Sequence, residues 1–359
     1  MECAVRSTIA LRRNRALYTS SIGVIMAAAA MKLGLEMSIA SSAFAECPRL
    51  ARDAEERGYA SIWVPEVSGP DAFVTLATIA QATTKADLAT GIVPIQIRTP
   101  GAMAMGFLTL NELSGGRAIA GLGVSSPVIV ERWHGAAYQR PVTAMRECVT
   151  IMRQLFTEGR GKFEGKVYRS DFRLGFQSKY PPPRIYLAAL NPPMLRLAGE
   201  IADGVLLNYS PPEAIPPMIA EIQAGAEKAG RKLADVDISI YLRMCITEDE
   251  HAAVASFKRE LATYAFVDQY NAMFERYGLQ HEFAEVRRLW REGKRDDAPN
   301  ALSDASARRL AAFGPPTAGR KFVESFRAVG VNHPVIFPIG PGKSLMQSFK
   351  ATVEAVAGA

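Results

Sequence analysis

Short apolar runs alternate with longer amphipathic stretches along the chain from Met31 onward. The stretches between the apolar runs, such as CPRLARDAEERG with its terminal Gly58, carry apolar residues on one helical face. Strands that are apolar on both faces and alternate with helices indicate a parallel sheet covered by helices. The pattern predicts one domain over 31–359, a closed (β/α)8 TIM barrel. The strand-like runs lie at 32–37, 60–66, 87–94, 117–124, 184–190, 204–209, 237–247 and 333–339.

An open, doubly wound sheet is the alternative architecture. It requires a glycine-rich dinucleotide turn after the first strand, and the sequence LEMSIASSAF provides none. Two insertions interrupt the barrel pattern. We expect a hairpin with a proline-stiffened return over 159–183 and a long helical excursion over 248–313, both elaborating the functional face of the barrel.

Residues 1–30 do not fit the barrel pattern. Four arginines precede a short apolar run and four alanines, which is a loose imitation of a signal peptide. The apolar run is too short to span a membrane. We expect a disordered extension or a misassigned start, with Met31 as the true initiator, and a genuine export signal is the alternative.

Composition argues against several classes of protein. The chain has 42 Lys and Arg against 36 Asp and Glu, a net charge of +6, without the dense basic face of a nucleic-acid-binding protein. The four widely spaced cysteines fit reduced thiols in the cytoplasm. The four histidines lack zinc-ligand spacing, and there is no Gly-x-Ser-x-Gly elbow. We therefore expect a small-molecule substrate, and no metal, nucleic acid or membrane.

Candidate chemistry follows from the place where such barrels carry their sites, the carboxyl ends of the strands. Glu36 and Glu66 end the first two strands and could donate or accept a proton if burial raises their pKa. Each could equally orient a neighbouring Arg or Tyr. His134, after the fourth strand, is a third candidate for catalysis, and a structural role for it is equally supported.

Small residues dominate the ends of strands four and five. The sequence GLGVSS over 121–126 leaves backbone amides and two hydroxyls open, and a slim turn over 188–191 leads into the next helix. Both features suit a flat, polyanionic cofactor lying against the backbone.

The order of these motifs resembles the bacterial luciferase-like superfamily, and within it the branch that uses the deazaflavin coenzyme F420. The resemblance covers Met31 to about Gly340. The stretch YLAALNPPMLRLAGEIADGVLLN, which begins with strand five, looks much like methylenetetrahydromethanopterin reductase-like proteins. The resemblance implies hydride transfer between F420 and a small organic substrate, and a homodimer. The telling stretches are KLGLEM, TGIVP, LSGGRAIAGLGVSS, ERWHG and YLAALNPPMLRLAGEIADGVLLN.

The resemblance also implies roles for individual residues. A bulge with a non-prolyl cis peptide is expected at Gly91, with the cofactor ring against it. Glu36 matches the acid that ends strand one in reductase-like members, whereas Ser125–Ser126 and Met37–Ser38 depart from the sugar-phosphate dehydrogenases. The predicted cofactor-binding residues are Ser38, Thr90, Gly91, Ile92, Gly121, Gly123, Ser125, Ser126, Ala188, Ala189 and Asn191.

Three functions remain open at this point. The first is F420H2-dependent reduction of a C=C or C=N bond, with Glu36, Glu66 or His134 supplying the proton. The second is a monooxygenase that uses flavin mononucleotide (FMN), and the third is a non-catalytic flavin-binding barrel. The insertions would select the substrate, and candidate contacts are Tyr168, Arg169, Arg173, Arg243 and Tyr270.

Overall fold

A computed structural model describes residues 32–358, so the extension expected at residues 1–30 lies outside the described residues. Eight parallel strands form a barrel within a ten-stranded sheet, and the pairings of Gly34 with Val335 and of Gly204 with Asp237 close it. The predicted TIM barrel is thereby confirmed and the open sheet is excluded. Numbered in chain order over all strands, the eight are β1 Gly34–Glu36, β2 Ser61–Val64, β3 Asp87–Thr90, β5 Ala118–Gly123, β8 Arg184–Ala188, β9 Gly204–Leu207, β10 Asp237–Ile246 and β12 His333–Pro338.

The third strand is interrupted where the sequence predicts a bulge. Pairing stops after Thr90 and resumes with β4 (Val93–Pro94), which pairs with β5. The expected cis peptide at Gly91 is wrong, because all peptide bonds in the described chain are trans. With the trans peptide, both polar backbone groups of Gly91 are hydrogen-bonded. The Gly91 amide donates to the carbonyl of Val64 (2.7 Å), and its carbonyl accepts from the Tyr241 hydroxyl (2.8 Å).

Helices cover the outside of the barrel. The helix that the sequence predicts before Gly58 runs over Cys47–Glu56, and Gly58 follows it with a left-handed φ of 92°. Within residues 32–358, no helix is long and apolar enough to cross a membrane. The barrel helices are α1 Ala40–Ala43, α2 Cys47–Glu56, α3 Ala72–Ala80, α4 Pro100–Ser114, α5 Pro141–Glu158, α6 Pro192–Ile201, α7 Ile215–Lys228, α12 Pro316–Arg327 and α13 Leu345–Val356.

The first insertion forms the expected hairpin, with β6 (Arg160–Glu164) antiparallel to β7 (Arg169–Arg173). It packs on α4 and α5 instead of over the strand ends. The buried Glu147 carboxylate of α5 accepts three amide hydrogen bonds of 2.7–2.8 Å from the hairpin loop at 166–168. Only the Tyr168 hydroxyl, bonded to the carbonyl of Ile95, reaches the end of a barrel strand (2.8 Å).

The second insertion is a helical layer over one side of the barrel mouth. It has its own apolar cluster, which takes in Tyr209, Cys245 and Ile339 from the ends of three barrel strands. Its last element is a strand that the sequence did not predict. The four residues of this strand pair with the end of β10, which is distant in the sequence. The elements are α8 Glu250–Thr263, α9 Asp268–Arg276, α10 Gln280–Arg291, α11 Asp304–Leu310 and β11 Ala311–Gly314.

Side chains fill the interior of the barrel. Strand alternation points every second residue inward, and these residues form a buried layer below the mouth. The barrel is therefore a packed core with its open chemistry confined to the carboxyl end. The layer contains Trp63, Ala89, Ile119, Tyr186, Leu206, Tyr241 and Val335.

Candidate active site

Three neighbouring strands carry an acid, an aromatic ring and a cation toward their carboxyl ends. Arg243 of β10 lies opposite Phe337 of β12, and the register of β12 with β1 places Glu36 next to Phe337. Neighbouring strands are about 4.8 Å apart, so the backbones of Glu36 and Arg243 are about 10 Å apart. We call Glu36, Phe337 and Arg243 the mouth row.

Glu36 is fully buried, and within residues 32–358 neither of its carboxylate oxygens has a hydrogen-bond partner. Burial raises the pKa of Glu36 to about 8. The polar groups of Ser38 and the charge of Arg243 act in the opposite direction, but they do not offset the burial, and Ser38 forms no hydrogen bond of good geometry with the carboxylate. At neutral pH the group is therefore largely protonated, as a proton donor must be.

Glu66 has the orienting role that the sequence left open. Its two oxygens accept from the Arg98 guanidinium at 3.0 and 3.1 Å and from the amide of Ala72 at 3.0 Å. Arg98 also bonds Asp71, so the carboxylate belongs to an ion-paired group at the start of α3. A proton-transfer role for Glu66 stays a prediction, and its contacts favour a structural one.

His134 lies on an exposed segment between β5 and α5. The segment begins at Ser125 and ends at Arg140, both with left-handed φ angles (55° and 45°), and it includes a π-helical turn over Val128–Trp133. The His134 side chain is exposed, and a role in proton transfer stays a prediction. The segment still reaches across the mouth, because the Gln269 amide of α9 donates to the Tyr138 hydroxyl (3.1 Å).

The glycines predicted for close approach to a cofactor have protein neighbours instead. A Cβ at Gly91 would lie 1.8 Å from the Tyr241 hydroxyl oxygen, and one at Gly121 would lie 1.8 Å from the Thr90 carbonyl oxygen. At Gly123 it would lie 2.3 Å from the Ile92 side chain. The packing of the barrel therefore requires these glycines whether or not a ligand is bound.

Thr90 holds the strand next to the bulge. Its hydroxyl donates to the Gly121 carbonyl (2.7 Å) and accepts from the Gly121 amide (3.0 Å). Thr90 and Gly121 are buried, so their predicted contribution to a cofactor site could only be to its shape.

The slim turn after β8 is covered by a helix of the second insertion. Arg276 of α9 donates to the Leu190 carbonyl (3.0 Å) and to the Asn191 side-chain oxygen (2.8 Å). Ala189 is buried in the main core, whereas Ala188 points toward the mouth and is partly exposed. Of the two alanines, only Ala188 can contact a ligand directly.

The remaining predicted cofactor residues divide by exposure. Ser38, Ile92 and Ser125 are partly exposed at the strand ends, and Ser126 is buried, with its hydroxyl near the amide of Ile129 (3.4 Å). Among the substrate candidates, Arg169 and Arg173 are exposed on the hairpin, away from the mouth. The structure thus gathers Ser38, Ile92, Ser125 and Ala188 around the mouth row.

Sequence reasoning missed Glu260 in a polar group around Arg243. The guanidinium donates to Glu260 of α8 (2.9 Å) and to Asn208 (2.7 Å), and it lies over the Tyr209 ring at 3.6 Å. The alternation of Ser239, Tyr241 and Arg243 along β10 is a signal that could have identified the inward face. No local signal identifies Glu260, because it reaches the barrel only through tertiary packing.

Unpartnered amides also mark the mouth. Both polar atoms of the Gln96 side chain, just after β4, are buried without a hydrogen-bond partner in the described part of the chain, and so is the Gln269 oxygen. Buried polar groups are rarely left unpaired, so these atoms fit a polar ligand edge. The described residues hold no cluster of side chains suited to a metal ion.

A cavity of about 580 Å³ lies at the opposite end of the barrel, lined among others by Arg153, Asp203 and Arg231. Asp203 precedes β9, so this cavity is at the amino-terminal end of the strands. We locate the chemistry at the mouth, because catalytic residues of such barrels come from the carboxyl ends and the unpartnered acid is there.

Comparison with known proteins identifies the family. The sequence model of the luciferase-like monooxygenase family matches residues 25–333. The chain belongs to the luciferase-like monooxygenase family. The resemblance seen in the sequence is thereby confirmed.

Relatives within this luciferase-like family include F420-dependent proteins. A Mycobacterium tuberculosis protein named as a coenzyme F420-dependent oxidoreductase is 31% identical over 333 residues, 86% of this chain and 95% of that protein. The 5,10-methylenetetrahydromethanopterin reductase of Archaeoglobus fulgidus is 29% identical, covering 87% of this chain and 95% of the reductase. The solved F420-dependent tetrahydromethanopterin reductase of Methanopyrus kandleri has a TM-score of 0.79 and 26% identity, covering 92% and 98%.

Proposed function

We propose that this luciferase-like protein is an F420-dependent oxidoreductase that reduces a C=C or C=N bond of a small organic substrate, with Glu36 as the proton donor. The observation that carries the proposal is the state of Glu36, which is fully buried, unpartnered within the described residues and raised in pKa to about 8. The names of the relatives support the coenzyme. When bound, reduced F420 supplies a hydride, and the substrate then needs one proton.

The residues around the mouth fit a bound coenzyme. Ser125 and Ala188 are partly exposed at neighbouring strand ends, and the unpaired Gln96 amide can both donate and accept. We assign Ser125 and Ala188, with Ile92 and Ser38, to direct contact, and the enclosed Gln96 amide would form a polar wall beside them. The buried Ala189, Gly121 and Gly123 would define the shape of the site from behind.

Glu36 would hold the proton at its carboxyl group until the substrate takes it. Of the two candidate acids, Glu36 is better suited than Glu66, because the Glu66 oxygens already accept three hydrogen bonds. The enclosed position of Glu36 keeps bulk water from competing for the same proton.

A substrate screen tests the reaction type. Reduced F420 is mixed with the protein and a set of conjugated alkenes, imines and secondary alcohols, and formation of oxidised coenzyme is followed by its absorbance. We expect alkenes or imines to oxidise the coenzyme. Turnover only in the reverse direction, with oxidised coenzyme and alcohols, would contradict the proposed reduction.

We also propose a homodimer formed through α3 and α4. Val74, Met105 and Leu113 on these helices are 59, 47 and 48% exposed, a high value for apolar side chains. Burial of this face against a second copy would remove it from water. Light scattering should give twice the chain mass, and Met105→Glu should lower it; a monomeric wild-type protein would contradict the dimer.

A further inference from the structure

We propose that Arg243 binds a carboxylate of the substrate, so that the substrate class is a planar, conjugated unsaturated acid. This inference rests on the proposed function, because it names the substrate of the same site.

The Arg243 guanidinium is only 3% exposed and is held on several sides. Its Nε donates to Glu260 (2.9 Å) and its Nη1 donates to Asn208 (2.7 Å). Its plane lies over the rings of Tyr209 and Phe337, at 3.6 and 4.4 Å from their centroids. Such contacts hold the guanidinium in one orientation before any ligand arrives.

One edge of this guanidinium is left without a partner. Within residues 32–358, Nη2 makes no hydrogen bond, although a guanidinium carries five N–H donors in a planar fork. Nη2 is also absent from the fully enclosed unpaired atoms of the described chain, so it keeps access to the space at the mouth. A carboxylate is the group whose geometry matches an open guanidinium edge.

The neighbouring groups leave the positive charge of Arg243 available to an anion. Glu260 is about one-third exposed, so water screens its charge, and its Oε1 is shared with the Tyr209 hydroxyl (2.5 Å). Asn208 is neutral, and its amide nitrogen donates to Tyr270 (2.8 Å), which turns its oxygen toward Arg243. Glu36 is the acid of the mouth row, and its raised pKa keeps it largely uncharged at neutral pH.

The mouth row explains why the acid should be planar and conjugated. The strand order puts Phe337 between Arg243 and Glu36, so a flat molecule against this ring, with its carboxylate at Arg243, would have its α carbon on the side of Glu36. When bound, reduced F420 would supply one hydride to the carbon β to the carboxylate and would itself be oxidised. The C=C electron pair moves toward the carboxylate, where Arg243 offsets the growing charge, and the α carbon takes the proton of Glu36.

Binding of cinnamate and of its neutral isostere cinnamamide tests this inference. Both are titrated by calorimetry into protein saturated with oxidised F420, so that the readout is binding and not turnover. We expect cinnamate to bind at least tenfold more tightly, with a preference that weakens as salt is added. Equal affinities, or no binding of either probe to the coenzyme-loaded protein, would overturn the assignment of Arg243.

Two variants separate substrate binding from a structural role of Arg243. Arg243→Lys keeps a positive charge without the planar fork, and we expect it to lose most of the preference for cinnamate. Arg173→Lys makes the same change at an exposed arginine of the hairpin and should keep the preference. If Arg243→Lys keeps the preference as fully as Arg173→Lys, the Arg243 guanidinium does not bind the carboxylate, and the inference fails.

The failure of this inference can be told apart from failure of the proposed function. Loss of F420 binding by the wild-type protein would contradict the proposed function itself. Normal F420 binding with equal affinity for the two probes would contradict the carboxylate alone. If Arg243→Lys does not fold, as judged by its thermal unfolding, the wild-type comparison of the two probes decides.

Discussion

The hydroxyl of Tyr241 donates a 2.8 Å hydrogen bond to the carbonyl oxygen of Gly91 and joins β10 to the bulge after β3 across the barrel. Tyr241 is buried in the interior layer, and the missing side chain of Gly91 makes room for its ring and hydroxyl. The bulge at the mouth is therefore fixed by a contact inside the protein.

Alanine at Gly91 should destabilise the fold through Tyr241. The new Cβ would lie 1.8 Å from the Tyr241 hydroxyl oxygen, and such overpacking costs roughly 1–3 kcal/mol. Tyr241→Phe removes that oxygen and loses one hydrogen bond, about 1 kcal/mol. In urea unfolding, the double variant should lose less than the sum of the two single losses. Additive losses would show that the Tyr241 hydroxyl is not the obstacle.

Replacing Glu36 by Gln should stop proton donation and spare the coenzyme site. We expect turnover to fall at least tenfold, because the amide cannot donate a proton to carbon, while F420 affinity stays nearly unchanged. Steady-state rates and a coenzyme titration on the same sample separate the two effects. Glu66→Gln serves as the comparison, and a larger loss of turnover there would reassign the acid.

The free energy of unfolding should fall as the pH rises, because of Glu36. The carboxyl has a pKa of about 8 in the folded chain against an ordinary 4.5, so the folded state holds a proton that the unfolded state lacks between these values. Raising the pH through this window therefore favours unfolding. Relative to Glu36→Gln, the free energy of unfolding of the wild type should fall by up to roughly 4 kcal/mol between pH 5 and 8. A difference independent of pH would mean that Glu36 is ionised in the fold.

The substitutions Ala188→Leu and Ala189→Leu in the slim turn should have different effects. Ala188 faces the mouth and is partly exposed, so Ala188→Leu should weaken F420 binding tenfold or more with little change in stability. Ala189 lies in the core, so Ala189→Leu should cost roughly 1–3 kcal/mol of stability. Coenzyme titration and thermal unfolding of both variants check this. Unchanged F420 affinity in Ala188→Leu would place the coenzyme elsewhere.

The barrel could be predicted from the sequence because its strands are buried on both faces and read as continuous apolar runs. The same local pattern places Glu36 at a strand end, where the structure finds it. The strand β11 could not be predicted, because its four residues become a strand only by pairing with the end of β10.

Partners that are distant in sequence explain the rest of the differences in the site. Nothing near Glu66 in the sequence indicates that Arg98 would occupy its oxygens. Likewise, the slim turn at 188–191 gives no sign that Arg276 would bond to it. Small residues in a motif predict close approach, but they do not say whether protein or ligand makes that approach.

A titration of the purified protein with F420 and with FMN, followed by quenching of tryptophan fluorescence, shows which of the two cofactors the protein binds. Trp133 lies on the segment that follows β5 and is 57% exposed, so its fluorescence can report a ligand bound against that segment. The account predicts binding of F420 at micromolar concentration or below, and much weaker binding of FMN. Tight binding of FMN alone would contradict it.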